Sequence, residues 1–252
     1  MSKLGLSVNS IKPVLCWQKA VQKPCMCLQK SFVAPTGYRF MPKLACDIVS
    51  FSNQKNPNEI FSEISSLGIS KLRRLDTKTY SGETLENRPE ILNKLRSYGI
   101  KTVVDFRSEA GNNYKKECEN AGLEYFQFPL SHTKSFSQDV EINDEFVCKL
   151  KKLFEVFNRG DAYLGCKWGI DRTNLGLMLN YLLNPTEHIA PEIIAWGGDS
   201  EKTIVNKSKK VADNILKKLT PEHKKTLEMG VNCRETSRHR ATRLLNKYKS
   251  TW

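Results

Sequence analysis

The sequence lacks three features that would each define a class of protein. It has no stretch approaching eighteen uninterrupted apolar residues, so we expect no helix that spans a membrane. Its eight cysteines are irregularly spaced without any Cys-x2-Cys pair, which argues against a zinc site. No secretory hydrophobic region stands near the start, which favours reduced cysteines over a disulfide framework. We therefore predict a cytoplasmic protein that needs no metal or other cofactor.

Acidic residues are also missing from the start of the chain, where Asp47 is the first. The net charge is +13, but residues 1–50 contribute +6 and residues 201–252 contribute +9, leaving −2 for the middle. An excess confined to the two ends does not indicate a nucleic-acid-binding domain, and we expect no specific nucleic acid binding. Residues 1–50 are basic and contain four prolines, so we predict that they are disordered, with an organelle-targeting segment as the alternative.

Strand and helix patterns alternate through the middle of the chain. This alternation predicts an α/β domain over residues 51–200, with a central, mostly parallel sheet flanked by helices. Strands are expected at residues 71–75, 102–106, 123–130 and 162–164, and helices at residues 88–98, 113–120, 144–158 and 175–183. We also expect a turn at Ser81-Gly82 and an apolar helix over residues 189–196. A short apolar segment at residues 60–68 fits either a helix or a strand.

The last fifty residues show helical periodicity and no strand pattern. We predict a basic helical extension over residues 201–252, with helices at residues 203–219, after Pro221 and at residues 237–248. Basic amphipathic helices can bind an anionic membrane or an acidic partner, although they more often lie on a domain surface. Both interpretations stay open at this stage.

The most informative stretch joins a short strand to a long apolar helix; it reads Gly165-Cys166-Lys167-Trp168-Gly169-Ile170-Asp171-Arg172-Thr173-Asn174. A tight loop of backbone N–H groups at a helix N-terminus forms a site for a dianion such as phosphate. The same groups favour the thiolate form of Cys166, and Arg172 can hold two phosphate oxygens with its planar fork. Gly169 gives the loop the backbone freedom that inward-pointing N–H groups require.

The spacing is specific within this chain. Of the eight cysteines, only Cys166 is followed six positions later by an arginine, and Thr173 follows that arginine. The ordinary alternative is a buried structural cysteine before a core helix. The stretch resembles the signature of the cysteine-dependent phosphatase superfamily, which includes tyrosine, dual-specificity and phosphoinositide phosphatases. The same superfamily has a strand end that is similar to Thr102-Val103-Val104-Asp105-Phe106-Arg107-Ser108-Glu109. This chain departs from the superfamily at one position: many members carry a histidine before the cysteine, where Gly165 stands here.

The resemblance implies a tyrosine-phosphatase-like fold and a catalytic set. Cys166 would attack the phosphorus, Arg172 would hold the phosphate oxygens, and Thr173 could donate its hydroxyl to the sulfur. The resemblance also implies an acid on the loop after the strand at residues 123–130, where Asp139 and His132 are the candidates. Asp171 is a third candidate for proton transfer, with a loop hydrogen bond or salt bridge as its alternative role.

Substrate binding is assigned to the loop, namely to Lys167, Trp168, Gly169, Ile170 and Thr173. Lys167 could add charge for a polyphosphorylated inositol, and Trp168 could stack on a phosphotyrosine ring. We predict a phosphatase acting on phosphoprotein through a phosphocysteine intermediate. A phosphoinositide or inositol phosphate phosphatase is one alternative, and a phosphate-binding module without turnover is another.

Overall fold

The computed structural model describes residues 55–131, 140–187 and 189–249 of the chain. These residues form eight α-helices and five β-strands, which alternate through the first two thirds of the described chain. In chain order the elements are α1 (Pro57–Ser65), β1 (Arg73–Arg74), β2 (Tyr80–Glu83), α2 (Pro89–Ser97), β3 (Thr102–Arg107), α3 (Asn112–Asn120), β4 (Glu124–Leu130), α4 (Asp144–Arg159), β5 (Ala162–Cys166), α5 (Asp171–Leu183), α6 (Glu201–Lys218), α7 (Pro221–Thr226) and α8 (Cys233–Lys247).

The five strands form one sheet in the order β1-β2-β5-β3-β4. β1 is antiparallel to β2, whereas the pairs β2–β5, β5–β3 and β3–β4 are all parallel. The predicted α/β fold with a mostly parallel sheet is confirmed. β5 lies in the middle of the sheet, so its carboxyl end is flanked on both sides by other strand ends.

Helices cover both faces of the sheet and produce two hydrophobic clusters. Side chains alternate along β3, where Val103 belongs to one cluster and Val104 and Phe106 belong to the other. The Val103 face is covered by α1, α2 and α3, and the Val104 face by α4, α5, α6 and α8. The extension predicted over residues 201–252 therefore supplies core residues to the same cluster as β5 and α5.

The predicted turn at Ser81-Gly82 is wrong, because both residues lie inside β2. A β-carbon at Gly82 would lie 2.7 Å from the Tyr163 hydroxyl oxygen and 2.9 Å from a side-chain carbon of Ile69. Gly82 is thus required for the close approach of neighbouring groups in a buried strand, and not for a reversal of the chain.

The predicted helix over residues 189–196 is also wrong, because this segment has no regular helical structure. The Asn174 side chain accepts a hydrogen bond from the Ile194 N–H (3.4 Å) and donates one to the Ile194 carbonyl (2.9 Å). Pro191 lacks an N–H, and the carbonyl of Glu192 accepts a hydrogen bond from Arg73. The backbone N–H and C=O groups of this segment are therefore hydrogen-bonded to side chains of other elements. Local sequence patterns do not indicate such bonds.

The remaining helices agree with the sequence pattern to within a few residues, and the ambiguous segment at residues 60–68 contributes to the helix α1. α4 begins as expected, since the Asn143 side chain accepts a hydrogen bond from the Phe146 N–H (2.8 Å). No helix in the described ranges is both long and apolar enough to cross a membrane. The predicted disorder of residues 1–50 and the candidate acids Asp139 and His132 lie outside the described residues.

Candidate active site

Cys166 is the last residue of the central strand. It lies opposite Glu83 of β2, and the preceding Gly165 lies opposite Asp105 of β3. Its side chain is buried, with 3% exposure, in the cluster that contains α5. Ligands of parallel sheets bind beyond the carboxyl ends of the strands, and Cys166 occupies that position in the middle of the sheet.

The loop after Cys166 turns directly into α5, whose helical residues begin at Asp171. Gly169 has a φ of +68°, and a β-carbon there would lie 2.4 Å from the carbonyl carbon of Gly82. The N-cap position of α5 is held by Ile170, whose side chain has no hydrogen-bond acceptor. The first N–H groups of the helix therefore have no side-chain cap and carry the positive end of the helix dipole, which suits an anion.

Arg172 lies in the first turn of α5 with a side chain that is only 5% exposed. Its Nη1 donates hydrogen bonds to both carboxylate oxygens of Glu109, at 2.8 and 2.6 Å. The Arg172 hydrogen bond lowers the pKa of Glu109 to about 2, so this carboxylate is ionised at neutral pH. Glu109 thus fixes one nitrogen of the guanidinium, whose other N–H groups lie on Nε and Nη2.

The other loop residues differ in exposure. Lys167 and Trp168 are exposed, Trp168 to 59%, and the Lys167 ammonium lies 5.4 Å from the centre of the Trp168 ring system. Ile170 is buried, and Asp171 is half-buried at the start of α5. Thr173 Oγ1 is buried and forms no hydrogen bond within the described residues, so the expected bond to the Cys166 sulfur is not formed.

The charged residues at the end of β3 form an ion pair. Asp105 accepts hydrogen bonds from the Arg107 side chain at 2.8 to 3.1 Å, and Glu86 accepts another from Arg107 at 2.6 Å. The Tyr125 hydroxyl donates to the same Asp105 carboxylate at 3.1 Å. Asp105 and Arg107 are both buried, so this network joins β3 and β4 to the residues before α2. This arrangement favours a structural role for the pair.

Three residues near the loop were not selected from the sequence. Glu109 is the last residue of the segment that begins at Thr102, but its pairing with Arg172 depends on the fold. Arg73 is buried in β1, and its guanidinium donates to the carbonyl of Gly169 (3.0 Å), the Asn174 side chain (2.5 Å) and the carbonyl of Glu192 (3.1 Å). Asn174 is completely buried and also binds the backbone of Ile194. For Arg73, the sequence offered one indication, which was its position in the short strand pattern at residues 71–75.

Other candidate sites lie apart from this loop. Within the described ranges, no group of three His, Cys, Asp or Glu side chains could hold a metal ion. A cavity of about 620 Å³ is lined by Thr79, Phe157, Tyr181 and Glu187 among others, and it includes no residue of the loop from Cys166 to Arg172. The chemistry of the loop therefore depends on the loop itself and its immediate neighbours.

No family model matches this chain, and no curated protein matches it. Among solved structures it is similar to the crystal structure of P. aeruginosa TpbA, with 17% identity over 59% of this chain and 90% of that one (TM-score 0.40). It is also similar to the core catalytic domain of the PP-IP phosphatase SIW14 from S. cerevisiae, with 16% identity over 70% and 95% of the two chains (TM-score 0.36). The Yvh1 phosphatase domain from Chaetomium thermophilum shows 12% identity over 64% and 94% (TM-score 0.34).

Proposed function

We propose that this protein is a cysteine-dependent phosphatase that hydrolyses phosphate monoesters through a phosphocysteine intermediate. One observation carries the proposal: a tight loop joins the buried end of the central strand to the first turn of a buried helix, with Cys166 and Arg172 at its two ends. Backbone N–H groups, a helix N-terminus and an arginine are the groups that stabilise a phosphoryl group during transfer.

The reaction has two steps. In the first, the Cys166 thiolate forms a bond to phosphorus while the bond to the leaving oxygen breaks, and an acid protonates that oxygen. In the second, water attacks phosphorus, the S–P bond breaks, and inorganic phosphate leaves while the sulfur returns to its thiolate form. Arg172 and the loop N–H groups hold the equatorial oxygens in both steps. The Thr173 hydroxyl has no hydrogen-bond partner among the described residues, and its proposed bond to the departing sulfur would form only in the second step.

Glu109 is proposed to position Arg172. Its two hydrogen bonds occupy Nη1, which restricts the rotamer of a long side chain and reduces the entropy lost when phosphate is bound. Nε and Nη2 would then bind two phosphate oxygens. This division of the guanidinium between a carboxylate and a substrate gives Glu109 a role that does not require contact with the phosphate.

The acid in the first step is proposed to be Asp171 or Asp139. Asp171 stands at the mouth of the loop next to Arg172, and Asp139 belongs to the segment before α4. Replacement of the true acid by asparagine removes the basic limb of the pH–rate profile, because protonation of the leaving oxygen no longer contributes. Comparison of pH–rate profiles for Asp171→Asn and Asp139→Asn identifies the residue, and an unchanged basic limb in both variants would contradict both assignments.

The substrate is proposed to be phosphotyrosine or another phosphoprotein residue. Trp168 supports this assignment, because an aromatic side chain with 59% exposure beside the loop can stack on a phenyl ring. The exposed Lys167 supports the alternative of a polyphosphorylated inositol. Initial rates on phosphotyrosine peptides, phosphoserine peptides and soluble phosphoinositides, each compared between the native chain and Trp168→Ala, distinguish these classes.

The decisive experiment replaces the nucleophile. Cys166→Ser is expected to abolish hydrolysis of a generic aryl phosphate such as p-nitrophenyl phosphate, while the far-UV circular dichroism spectrum is unchanged. Cys148→Ser is the matched control, because Cys148 is exposed on α4 and should be replaceable without loss of activity. Residual turnover by Cys166→Ser would disprove the mechanism. Binding of phosphate by the native chain without release from any ester would instead indicate a phosphate-binding module.

A further inference from the structure

Arg73 is a buried cation that the proposed chemistry does not use directly. Its residue exposure is 6%, and among the described residues its guanidinium donates to two carbonyls and one amide oxygen but to no carboxylate. Its Nε is buried without a hydrogen-bond partner in the same part of the chain. Burial lowers the pKa of Arg73 to about 10, and the electrostatic attraction of Cys166 opposes that change. Arg73 is therefore positively charged at neutral pH.

A buried charge without a paired carboxylate is costly, because desolvation of the ion is not repaid by a salt bridge. A methionine or leucine in the same strand would avoid this cost. The hydrogen bonds of the guanidinium show what the charge acts on. One of them goes to the carbonyl of Gly169 inside the loop.

The contact with Gly169 has a geometric consequence. In a trans peptide the C=O of one residue and the N–H of the next point in opposite directions. Because Arg73 Nη2 binds the Gly169 carbonyl at 3.0 Å, the following Ile170 N–H points away from Arg73. Gly169 reaches this orientation with a φ of +68°, which a residue with a side chain rarely adopts. Arg73 thus fixes the peptide whose N–H belongs to the proposed phosphate site.

We propose that Arg73 is a positioning residue for the loop from Cys166 to Arg172. This role comes from the planar fork, which binds Gly169, Asn174 and the segment at Glu192 at the same time. A lysine at this position retains the charge but not the fork, so it separates the effect of the hydrogen bonds from the effect of the charge.

The experiment compares Arg73→Met, Arg73→Lys and the control Arg74→Met. Arg74 is the neighbouring residue of β1, and it binds Asn58 and lies over Phe61, away from the loop. Binding of inorganic phosphate is measured by isothermal titration calorimetry, and folding is checked by thermal unfolding. We expect the Kd for phosphate to rise about tenfold in Arg73→Met and Arg73→Lys, because the fork no longer fixes the peptide between Gly169 and Ile170, and to be unchanged in Arg74→Met.

Hydrolysis of p-nitrophenyl phosphate tests the positioning role, which rests on the proposed function. We expect kcat to fall about 100-fold in both Arg73 variants and to be unchanged in Arg74→Met. Native phosphate affinity and full turnover in Arg73→Lys would overturn the positioning role. If Arg73→Met does not fold, the lysine variant decides, because it keeps the charge and loses the fork.

The inference and the proposed function can fail separately. A native chain that hydrolyses no phosphate ester, but whose phosphate binding depends on Arg73 as described, refutes the phosphatase and leaves the positioning role intact. A native chain with turnover that is insensitive to both Arg73 substitutions refutes the role of Arg73 and leaves the phosphatase intact.

Discussion

Gly169 is the residue of the loop with the least room for a side chain. A β-carbon at this position would lie 2.4 Å from the carbonyl carbon and 2.6 Å from the carbonyl oxygen of Gly82, and 2.6 Å from the backbone nitrogen of Glu83. All three are backbone atoms of the neighbouring strand, which cannot move aside as a flexible side chain can. The loop is therefore pressed against β2, and its shape depends on the absence of one methyl group.

Gly169→Ala is expected to lower kcat/KM for an aryl phosphate about 100-fold, because the loop must move by roughly an ångström to admit the methyl group. Gly111→Ala is the matched control, since Gly111 has a φ of −80° and no atom within 4 Å of the added carbon. The two variants are compared by steady-state kinetics and by thermal unfolding. Native kinetics in Gly169→Ala would show that the loop tolerates displacement.

Glu109→Gln tests the carboxylate that binds Arg172. The Arg172 hydrogen bond lowers the pKa of Glu109 from 4.5 to about 2, so its contribution to stability is complete above pH 4.5 and is lost as the pH falls towards 2. The Glu109 side chain is 50% exposed, so this contribution is at most about 1 kcal/mol. We expect about tenfold lower kcat/KM, and a smaller loss of unfolding free energy between pH 5 and pH 2.5 than in the native chain.

The control for this prediction is Glu119→Gln. Glu119 is exposed on α3, and its carboxylate lies 3.8 Å from the Lys115 ammonium, which is a long distance for an ion pair. The activity of this variant should equal that of the native chain at every pH. Unfolding free energy is measured by urea denaturation at each pH. A parallel decline in the native chain and in Glu109→Gln would contradict the assigned pKa shift.

At the scale of elements, the helix α5 that follows the loop is supported at both ends by other parts of the chain. Its first turn is linked to β1 through Arg73 and Asn174, and its last turn is covered by α8. Arg240 of α8 donates to the carbonyls of Tyr181 and Asn184 at 2.7 and 2.6 Å, and Ser237 donates to the carbonyl of Leu182. A cation at a helix C-terminus satisfies free carbonyls and interacts favourably with the helix dipole.

Arg240→Met should reduce the free energy of unfolding by about 2 kcal/mol, because two charge-assisted hydrogen bonds to buried carbonyls are lost. Arg243→Met is its control on the same helix, since Arg243 is exposed. Urea denaturation measures both. A loss below about 0.5 kcal/mol for Arg240→Met would place it within the range of ordinary surface substitutions and contradict the capping role.

At the scale of the whole molecule, the two hydrophobic clusters together include residues from Ile64 to Leu244. The cluster that contains Cys166 includes Val205, Ile215 and Ala241, which belong to α6 and α8. These buried residues cover the face of the sheet on which α5 lies.

Two truncations test how the chain divides. Residues 51–252 are expected to fold and to retain native turnover of an aryl phosphate, because both clusters lie within them. Residues 51–200 should unfold or aggregate, because α6 and α8 no longer cover the apolar side chains of α5. Circular dichroism and size-exclusion chromatography distinguish the outcomes, and a stable, active fragment 51–200 would show that the C-terminal helices are dispensable.

The sequence by itself determined the order of most elements and the position of the loop. Periodicity located α2, α4 and α6 because each buries one face, and β3 because its short β-branched run is typical of a buried strand. The Cys166 and Arg172 spacing was visible because both residues belong to one continuous loop. The sequence is sufficient to predict such features, since the residues that form each of them are neighbours along the chain.

Only the tertiary structure decided the contacts between distant segments. Gly82 proved to be a strand residue because Tyr163 lies against it, and the segment at Ile194 is not helical because Asn174 binds its backbone. Glu109 and Arg73 reach the loop from separate strand ends, across 63 and 96 positions of sequence to their partners Arg172 and Gly169. No local pattern encodes such pairings, because hydrogen bonds and steric contact depend on distance in space, which the packing of α5 against the sheet sets.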